Sequence, residues 1–433
     1  MTEAIAHFLL STEGRKLVDS VDGESDLVRA LARLRKTIDP EKAAAVLEVG
    51  EARRRSLGKF GELSASMYFT TEALEQASSA GASTHHARRM VDAGIEVVID
   101  LCGGVGADAL AFARAGLRVI LCEIDPVRAL FAAENARVSG FPDQIDVRCV
   151  DSTAILHDLR SEFPESLVVS EPLGPDSSPS RFGRGGEERA GVGPAIWFDP
   201  ARRDGSRRIV DPDDYRPPLS LIETLRAAGF NHIGAKLAPA VDHALQQTYR
   251  GELEFISDQG ECKEGILWTG KLDTGVGLRA TVIGKTAIST LTGLSHDDSS
   301  SPSLSKGGGW GEGYLYEPDP AVIRAHLVQN LGQLIDARPI DPHIAYLIGQ
   351  GLVETPFATA YAIIDRFPFH LKALNRRLRE LSVGRVVIKK RGFPQEPGEV
   401  RKQLKLTGDQ EMTLVLTRVD RQHQVILCRP VKG

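Results

Sequence analysis

The stretch EVVIDLCGGVGADALAFARAGLRVILCEIDP, Glu96 to Pro126, constrains the fold more than any other part of the chain. An apolar run leads into a glycine-rich turn. An amphipathic segment follows, then a second apolar run that ends at a carboxylate. This order predicts strand, turn, helix, strand: the first β-α-β unit of a nucleotide-binding sheet. Further strands are expected at IDVRCV, AIWFD, HIGAKL, LEFIS, GILWT and ATVIG. Helices are expected at ADALAFARAG, PVRALFAAENARVSG, AILHDL, YRPPLSLIETLRAAG and AVDHALQQTY. Such alternation demands an α/β, Rossmann-like, mostly parallel sheet with helices on both faces. The three late strands have almost nothing between them, which predicts an antiparallel end to the sheet.

A chain of 433 residues exceeds one ordinary domain. Residues 1–90 read as a helical segment, with apolar spacing of three and four in DLVRALARLRK and PEKAAAVLEVGEARRRSL. The pattern continues through MYFTTEALEQASSAGASTHHARRM, with Thr70 or Thr71 as N-cap. The α/β domain is expected over 91–290. SHDDSSSPSLSKGGGWGEG marks a linker, 291–313, and 314–370 and 371–433 read as small α+β units. A Gly-, Pro- and Ser-rich loop is expected from Glu171 to Pro194. No apolar run reaches the roughly 18 to 20 residues that span a bilayer. The N-terminus lacks a basic region and a small-residue cleavage site, so no signal peptide is expected, and the unpaired cysteines suit a reducing cytoplasm. The five cysteines show no metal spacing, and no metal is expected. Between Leu371 and Lys405 eleven Lys/Arg stand against three Glu, a local +8 that leaves −13 of the net −5 for the remainder. Segregation of this kind suits a surface facing a polyanion; the plainer reading is a solvated helix face and a charged strand edge.

Asp100, Cys102, Gly104 and Gly106 occupy alternate positions of a D-x-x-x-G-x-G turn. Glycine lets the backbone approach a ligand, and the following helix presents its N-terminus. Asp100, Glu123 and Asp151 each follow or close a predicted strand, and three acids at successive strand ends form a rim around one nucleoside. An acid at the position of Asp100 suits the ammonium of S-adenosyl-L-methionine and repels the pyrophosphate of a dinucleotide. Glu123 is placed for ribose hydroxyls and Asp151 for the adenine amino group. Each acid taken singly is explained as a helix cap or a solvated loop; Asp108, one residue into the helix, reads as complementing its dipole. The rival is an NAD-dependent oxidoreductase, because Gly104, Gly106 and Ala109 also fit G-x-G-x-x-A with Glu123 downstream.

AIWFDPARRDG sets Asp199 and Pro200 at the end of strand four. Proline ends the strand and aims Asp199 into the crevice at the sheet's carboxyl edge. The pair is the catalytic candidate. Amino-group methyltransferases often carry D/N-P-P-aromatic here; Ala201 and Arg202 replace the last two positions. Arg202 and Arg203 are candidates for gripping a phosphate or carboxylate, or for salt bridges to Asp211, Asp213 or Asp214. Lys236, after strand five, is a further substrate-binding candidate. Trp268 reads as core, and His232 and His243 receive no role.

These stretches resemble a bacterial family of class I S-adenosylmethionine-dependent methyltransferases that carry a C-terminal THUMP-like domain. MYFTTEALEQASS, VIDLCGGVGADAL, IWFDPARRDG, AKLAPAVDH, YLYEPDPAVIRA and GRVVIKKRG carry the likeness, with RKQLKL and TLVLTR near the end. The first two are also distantly similar to the trimethylguanosine synthase group, which methylates RNA caps. The resemblance implies a seven-stranded methyltransferase sheet, then a ferredoxin-like segment at 314–370, then the THUMP-like domain at 371–433. It also implies an RNA substrate, by analogy with true THUMP domains, with Lys389, Lys390 and Arg391 helping to dock it. The chain departs from the family at the long loop and at the alanine of AKLAPA, where glycine is usual. A third reading is a non-catalytic RNA-binding protein with a degenerate methyltransferase fold. No obligate protein partner is expected.

Overall fold

The computed structural model describes residues 1–152, 154–163, 192–201, 203–204, 207–209, 211–293 and 313–431. Most of the Glu171–Pro194 loop and of the linker therefore lies outside the described residues, as does Arg202. Two compact units emerge: Met1–Gly251 with Ile266–Thr274, and Glu252–Gly265 with Gly275–Gly433. Their boundaries do not coincide with those drawn at 90/91 and 290/291 from composition.

In the first unit the strands are β1 (Val97–Asp100), β2 (Arg118–Glu123), β3 (Ile145–Cys149), β4 (Ala195–Phe198), the short β5 (Arg203–Asp204) and β6 (Arg207–Arg208), and β7 (Ile233–Leu237). β5 and β6 pair only with each other. The others stand in the order β7-β4-β1-β2-β3, and every pairing is parallel. The chain moves outward from β1 to β3 and then returns to the other side of β1. That reversal, between β1 and β4, is where open α/β sheets form a ligand crevice at their carboxyl edge. The sheet's interior strands are buried on both faces, as the continuous apolar runs VVI, VILC and AIWF require.

The N-terminal helices belong to this unit. The longest, Pro40–Phe60, starts on an Asp39 N-cap whose side chain accepts from the Lys42 amide, with Pro40 at the first turn. It ends at Gly61, whose φ of 60° is one an L side chain rarely adopts. Thr70 caps the helix Thr71–Gln76, as the sequence suggested. The expected continuous helix through to Met90 is broken, however. Ala77 leaves helical geometry, and Ser79 caps a new helix, Ala80–Asp92. Lys59 Nζ donates to the carbonyls of Leu74 and Ala77 (both 2.7 Å), which satisfies the end of the shorter helix.

In the second unit β8 (Glu252–Asp258) is followed by β9 (Glu261–Trp268), whose last residues return to the first unit, then β10 (Leu278–Ile283) and β11 (Ile288–Gly293). β10 runs antiparallel to β11 but parallel to β8. The expected wholly antiparallel ending is corrected at that pair: β9 lies between β8 and β10 in sequence and carries the chain back. β12 (Tyr314–Pro318), β13 (Ala337–Asp341), β14 (Ile344–Gly349), β15 (Ala358–Pro368), β16 (Val383–Lys390), β17 (Gln410–Val419) and β18 (Gln422–Pro430) form one seven-stranded sheet, ordered β13-β14-β12-β15-β18-β17-β16. The segments expected at 314–370 and 371–433 thus share a sheet. Its strands curl, so that β13 also lies against β17. One face encloses Leu315, Tyr346, Tyr361, Val415 and Ile426; the other packs Leu414, Leu416 and Val425 against Leu374, Leu378 and Val400 of the helices Leu371–Glu380 and Pro397–Gln403. Alternation along β17 sends its odd residues one way and its even residues the other. Among the described residues no helix is long and apolar enough to cross a membrane.

Candidate active site

The glycine turn is shaped by its own backbone. Gly104 and Gly106 have φ of 55° and 88°, and Gly106 opens the helix Ala107–Arg114. Gly103 is fixed for another reason: a Cβ there would stand 2.2 Å from Leu121 Cγ. Beside Gly104 there is open space within 4 Å of where a Cβ would project. The Gly104 amide donates to Glu123 Oε2 and the Asp125 amide to Oε1, both at 2.9 Å. Glu123 therefore ties the turn after β1 to the end of β2. Asn135 braces the same turn from behind. It accepts from the Tyr68 amide (2.7 Å) and donates to the carbonyls of Tyr68 (2.9 Å) and Val105 (3.0 Å). The Met67–Ser79 stretch is stitched to the glycine turn by this one buried side chain.

Asp100, at the end of β1, is 2% exposed and accepts from the Cys102 amide at 3.3 Å. Burial, and after it repulsion from Asp108, pushes its carboxyl well above the usual carboxylate range; Asp199 and Glu123 push the same way. Glu123 is raised chiefly by burial, and Cys102 is raised by burial and then by Asp100, Asp199 and Glu123. Asp151, two residues past β3, is exposed.

Asp199, one residue past β4, is ion-paired to Lys236 of β7, with Nζ to Oδ2 at 2.6 Å. Phe198 and Ala235 are register partners, so adjacent strands fix the pair. Lys236 is 3% exposed and also donates to Ser78 Oγ at 2.9 Å. Ser78 donates to Asp108 Oδ2 at 2.9 Å, and Asp108 Oδ1 lies 3.0 Å from His86 Nδ1. The His86 ring, fully buried, packs 4.6 Å from the ring of Trp197. Burial acts to raise the Asp108 carboxyl, but the hydrogen bond and charge of His86, with Lys236, outweigh it and hold the group well below its usual range. Trp268 is core, as expected.

The structure brings Asp100, Cys102, Gly104, Gly106, Glu123 and Asp199 to one edge of the sheet, with Pro200 buried beside Asp199. It corrects Lys236: a side chain this buried, spent on Asp199 and Ser78, holds Asp199 and does not reach out for substrate. It also corrects Asp108, which is an acceptor for the side chains of Ser78, Ser83 and His86 and more than a complement to the helix dipole. Ser78 and His86 were missed. They precede the glycine turn in sequence, and only a polar residue in MYFTTEALEQASS hinted at them. Arg202 and the Arg203 side chain lie outside the described residues.

Lys389, Lys390 and Arg391 are remote in role from this site. Lys389 Nζ pairs with Glu317 Oε2, and Arg391 Nη2 lies 3.5 Å from Oε1 of the same carboxylate. Arg391 Nη1 also donates to the Ala345 carbonyl at 2.6 Å, and its guanidinium sits 4.8 Å from the centre of the Tyr346 ring. Lys390, on the opposite strand face, pairs with Glu396 at 2.6 Å. Each cation of the expected docking cluster already has a carboxylate partner, and Lys389 and Arg391 act as a latch across the curled sheet.

The fold and geometry agree with what known proteins show. The family model for THUMP domain-like proteins matches residues 358–430, that for RNA cap guanine-N2 methyltransferases matches 95–178, and one for a domain of unknown function matches 3–56. Two relatives from Mycobacterium tuberculosis, strains CDC 1551 and H37Rv, are both described as uncharacterized S-adenosylmethionine-dependent methyltransferases. Each is 29% identical over 388 residues, covering 88% of this chain and 94% of the relative. A crystal structure from Porphyromonas gingivalis W83, described as a methyltransferase candidate, shares the fold with a TM-score of 0.70 at 21% identity, over 94% of this chain and 99% of that one. Over most of its length the chain is similar to S-adenosylmethionine-dependent methyltransferases, and its residues 358–430 match THUMP domain-like proteins.

Proposed function

We propose that the protein transfers a methyl group from S-adenosyl-L-methionine to RNA, with Asp199 orienting the acceptor. One observation carries the reading: Asp100, Glu123 and Asp199 stand at the carboxyl ends of three neighbouring parallel strands, around a glycine turn clasped by Glu123. The donor set fits the cofactor. Asp100 is a buried carboxylate crowded by other carboxylates, an arrangement that a ligand cation relieves. A dinucleotide would add its pyrophosphate to that negative field. When bound, the cofactor supplies a methyl group already activated on a sulfonium.

The chain's own residues then bind, orient and shield. Asp100 would hold the ammonium, Glu123 the ribose and Asp151 the adenine edge, with Cys102, Gly104 and Gly106 shaping the turn. Asp199 and Pro200 would set the acceptor, and Arg202 and Arg203 would meet its phosphate. The chemistry is mainly positioning, so the barrier falls by alignment. RNA is favoured as substrate by the match of 358–430 to THUMP domain-like proteins and of 95–178 to an RNA methyltransferase family. Calorimetric titration with S-adenosylhomocysteine and with NAD, alongside labelled-methyl incorporation into total RNA from cells lacking the protein, tests both halves. Binding of NAD alone would return the case to an oxidoreductase. Binding of S-adenosylhomocysteine without incorporation would favour a non-catalytic RNA-binding protein.

A further inference from the structure

We propose that Lys236 is a positioning residue, clamping Oδ2 of Asp199 so that Oδ1 is presented to the acceptor, and that Ser78, Asp108 and His86 are the braces that hold its ammonium in place. The inference rests on the methyltransferase reading and names how its reactive carboxylate is set.

The chain of contacts is directional. The Lys236 ammonium donates to Asp199 Oδ2 (2.6 Å) and to Ser78 Oγ (2.9 Å); Ser78 passes its own hydrogen to Asp108 Oδ2 (2.9 Å); Asp108 Oδ1 meets His86 Nδ1 (3.0 Å). The braces are all buried, with His86 0% exposed, Asp108 7%, Ser78 5% and Lys236 3%, whereas the Asp199 side chain is 21% exposed. The wet end is therefore the carboxylate and the dry end is the brace, the arrangement expected when a buried shell fixes a reactive group. Asp199 Oδ1 has no hydrogen-bond partner among the described residues, whereas Oδ2 is spent. A lysine meant for a phosphate would be exposed. A lysine meant only for packing would not need a serine and a second carboxylate behind it.

Fixing one oxygen fixes the plane of the other, so Oδ1 takes the hydrogen of an N–H or O–H acceptor in a single orientation. On transfer, the acceptor atom bonds to the methyl carbon. The carbon–sulfur bond breaks with its electron pair left on sulfur, and the acceptor's hydrogen leaves through Oδ1 to solvent.

The test uses the full-length protein as Lys236→Met, Lys236→Arg and Ser78→Ala, with methyl incorporation into total RNA from cells lacking the protein. Lys236→Met is expected to lower kcat about 100-fold, the scale of a small misplacement of a reacting group. KM for the RNA and affinity for S-adenosylhomocysteine stay within about twofold, because neither contact is touched. Lys236→Arg restores part of kcat, and Ser78→Ala falls between. Unchanged kcat in Lys236→Met, or a loss confined to KM, overturns the inference. A second measurement needs neither turnover nor a stable lysine variant. The wild-type protein labelled with ¹⁵N-lysine should show one slowly exchanging ammonium resonance that shifts or disappears in Asp199→Asn. A resonance unmoved by that change, or absent from the wild type, sinks the clamp. Failure of the wild type to bind S-adenosylhomocysteine would instead strike the functional reading, and the resonance would still decide the clamp.

Discussion

In the first unit Asp100 is crowded by Asp108, Asp199 and Glu123, of which Asp199 is paired with the buried Lys236; in the second, a single carboxylate, Glu317, takes both Lys389 and Arg391. Both clusters are largely buried and both tie distant segments together. They differ in balance. The acidic cluster leaves Asp100 crowded by like charge and without an ion pair among the described residues. The basic cluster closes on itself: Glu317 is met by two cations, each of which also lies over a tyrosine ring. Burying charge costs several kcal/mol per ion, and Asp100 avoids that cost by holding its proton to higher pH, a role that a cationic ligand would take over. By that criterion the acidic site suits the cationic ligand proposed for it, and the basic one holds the sheet curled.

The contrast can be broken most decisively at Asp199. Asp199→Ala should cut methyl incorporation into RNA by about 100-fold or more while leaving S-adenosylhomocysteine binding in calorimetry nearly intact. Equal incorporation would remove the site's claim to chemistry. Asp100→Asn is the next largest. Loss of a charged partner should weaken S-adenosylhomocysteine by about 10- to 100-fold. The same change should flatten the pH dependence of the free protein. Asp100's carboxyl is raised above its unfolded value of 3.8, so the wild type loses stability as pH climbs from about 3.8 through the folded value, because the unfolded chain ionises first. Asp108 is lowered and works in the opposite sense, contributing stability above 3.8 that is lost as pH falls below it. Urea denaturation across pH, wild type against Asp100→Asn, separates the two.

Glu317→Ala addresses the other cluster. It leaves two cations facing each other, and with side chains still partly exposed the cost should be about 2 kcal/mol in urea denaturation. Affinity for S-adenosylhomocysteine should not change; a change would mean that the latch also shapes the cofactor site. The smallest effect is expected at Lys390, whose partner Glu396 is well exposed. Lys390→Ala should move stability by less than about 0.5 kcal/mol. If Lys390 contacts phosphate, the salt slope of RNA binding should fall by about one unit. No change in that slope would show that this basic segment is structural.

Much of the cofactor half was legible in the chain because local rules govern it. The glycines at 104 and 106 need positive φ, the apolar runs need a buried parallel sheet, and strand ends put Asp100, Glu123 and Asp199 on one edge. The cap could be narrowed to Thr70 or Thr71 from position alone, and the structure chose Thr70. Other features were not legible. Lys236 read as a substrate ligand because a lysine at a strand end looks exposed until the neighbouring strand is known. His86 carried no motif, and Ser78 lay in a family-like stretch without a role attached to it. Lys389 and Arg391 looked like a docking surface because charge counts do not reveal the partner Glu317, some seventy residues earlier in the chain.

The sequence by itself determined the α/β sheet, the glycine turn and the ring of acids, since each follows from backbone geometry and periodicity over a few residues. Only the tertiary structure decided which charges meet. Ser78 and Lys236 are 158 residues apart in the chain yet hydrogen-bonded at 2.9 Å, and no local pattern encodes that contact. An ion's role depends on whether its counter-charge is present, absent or supplied by a ligand, and that is settled by packing.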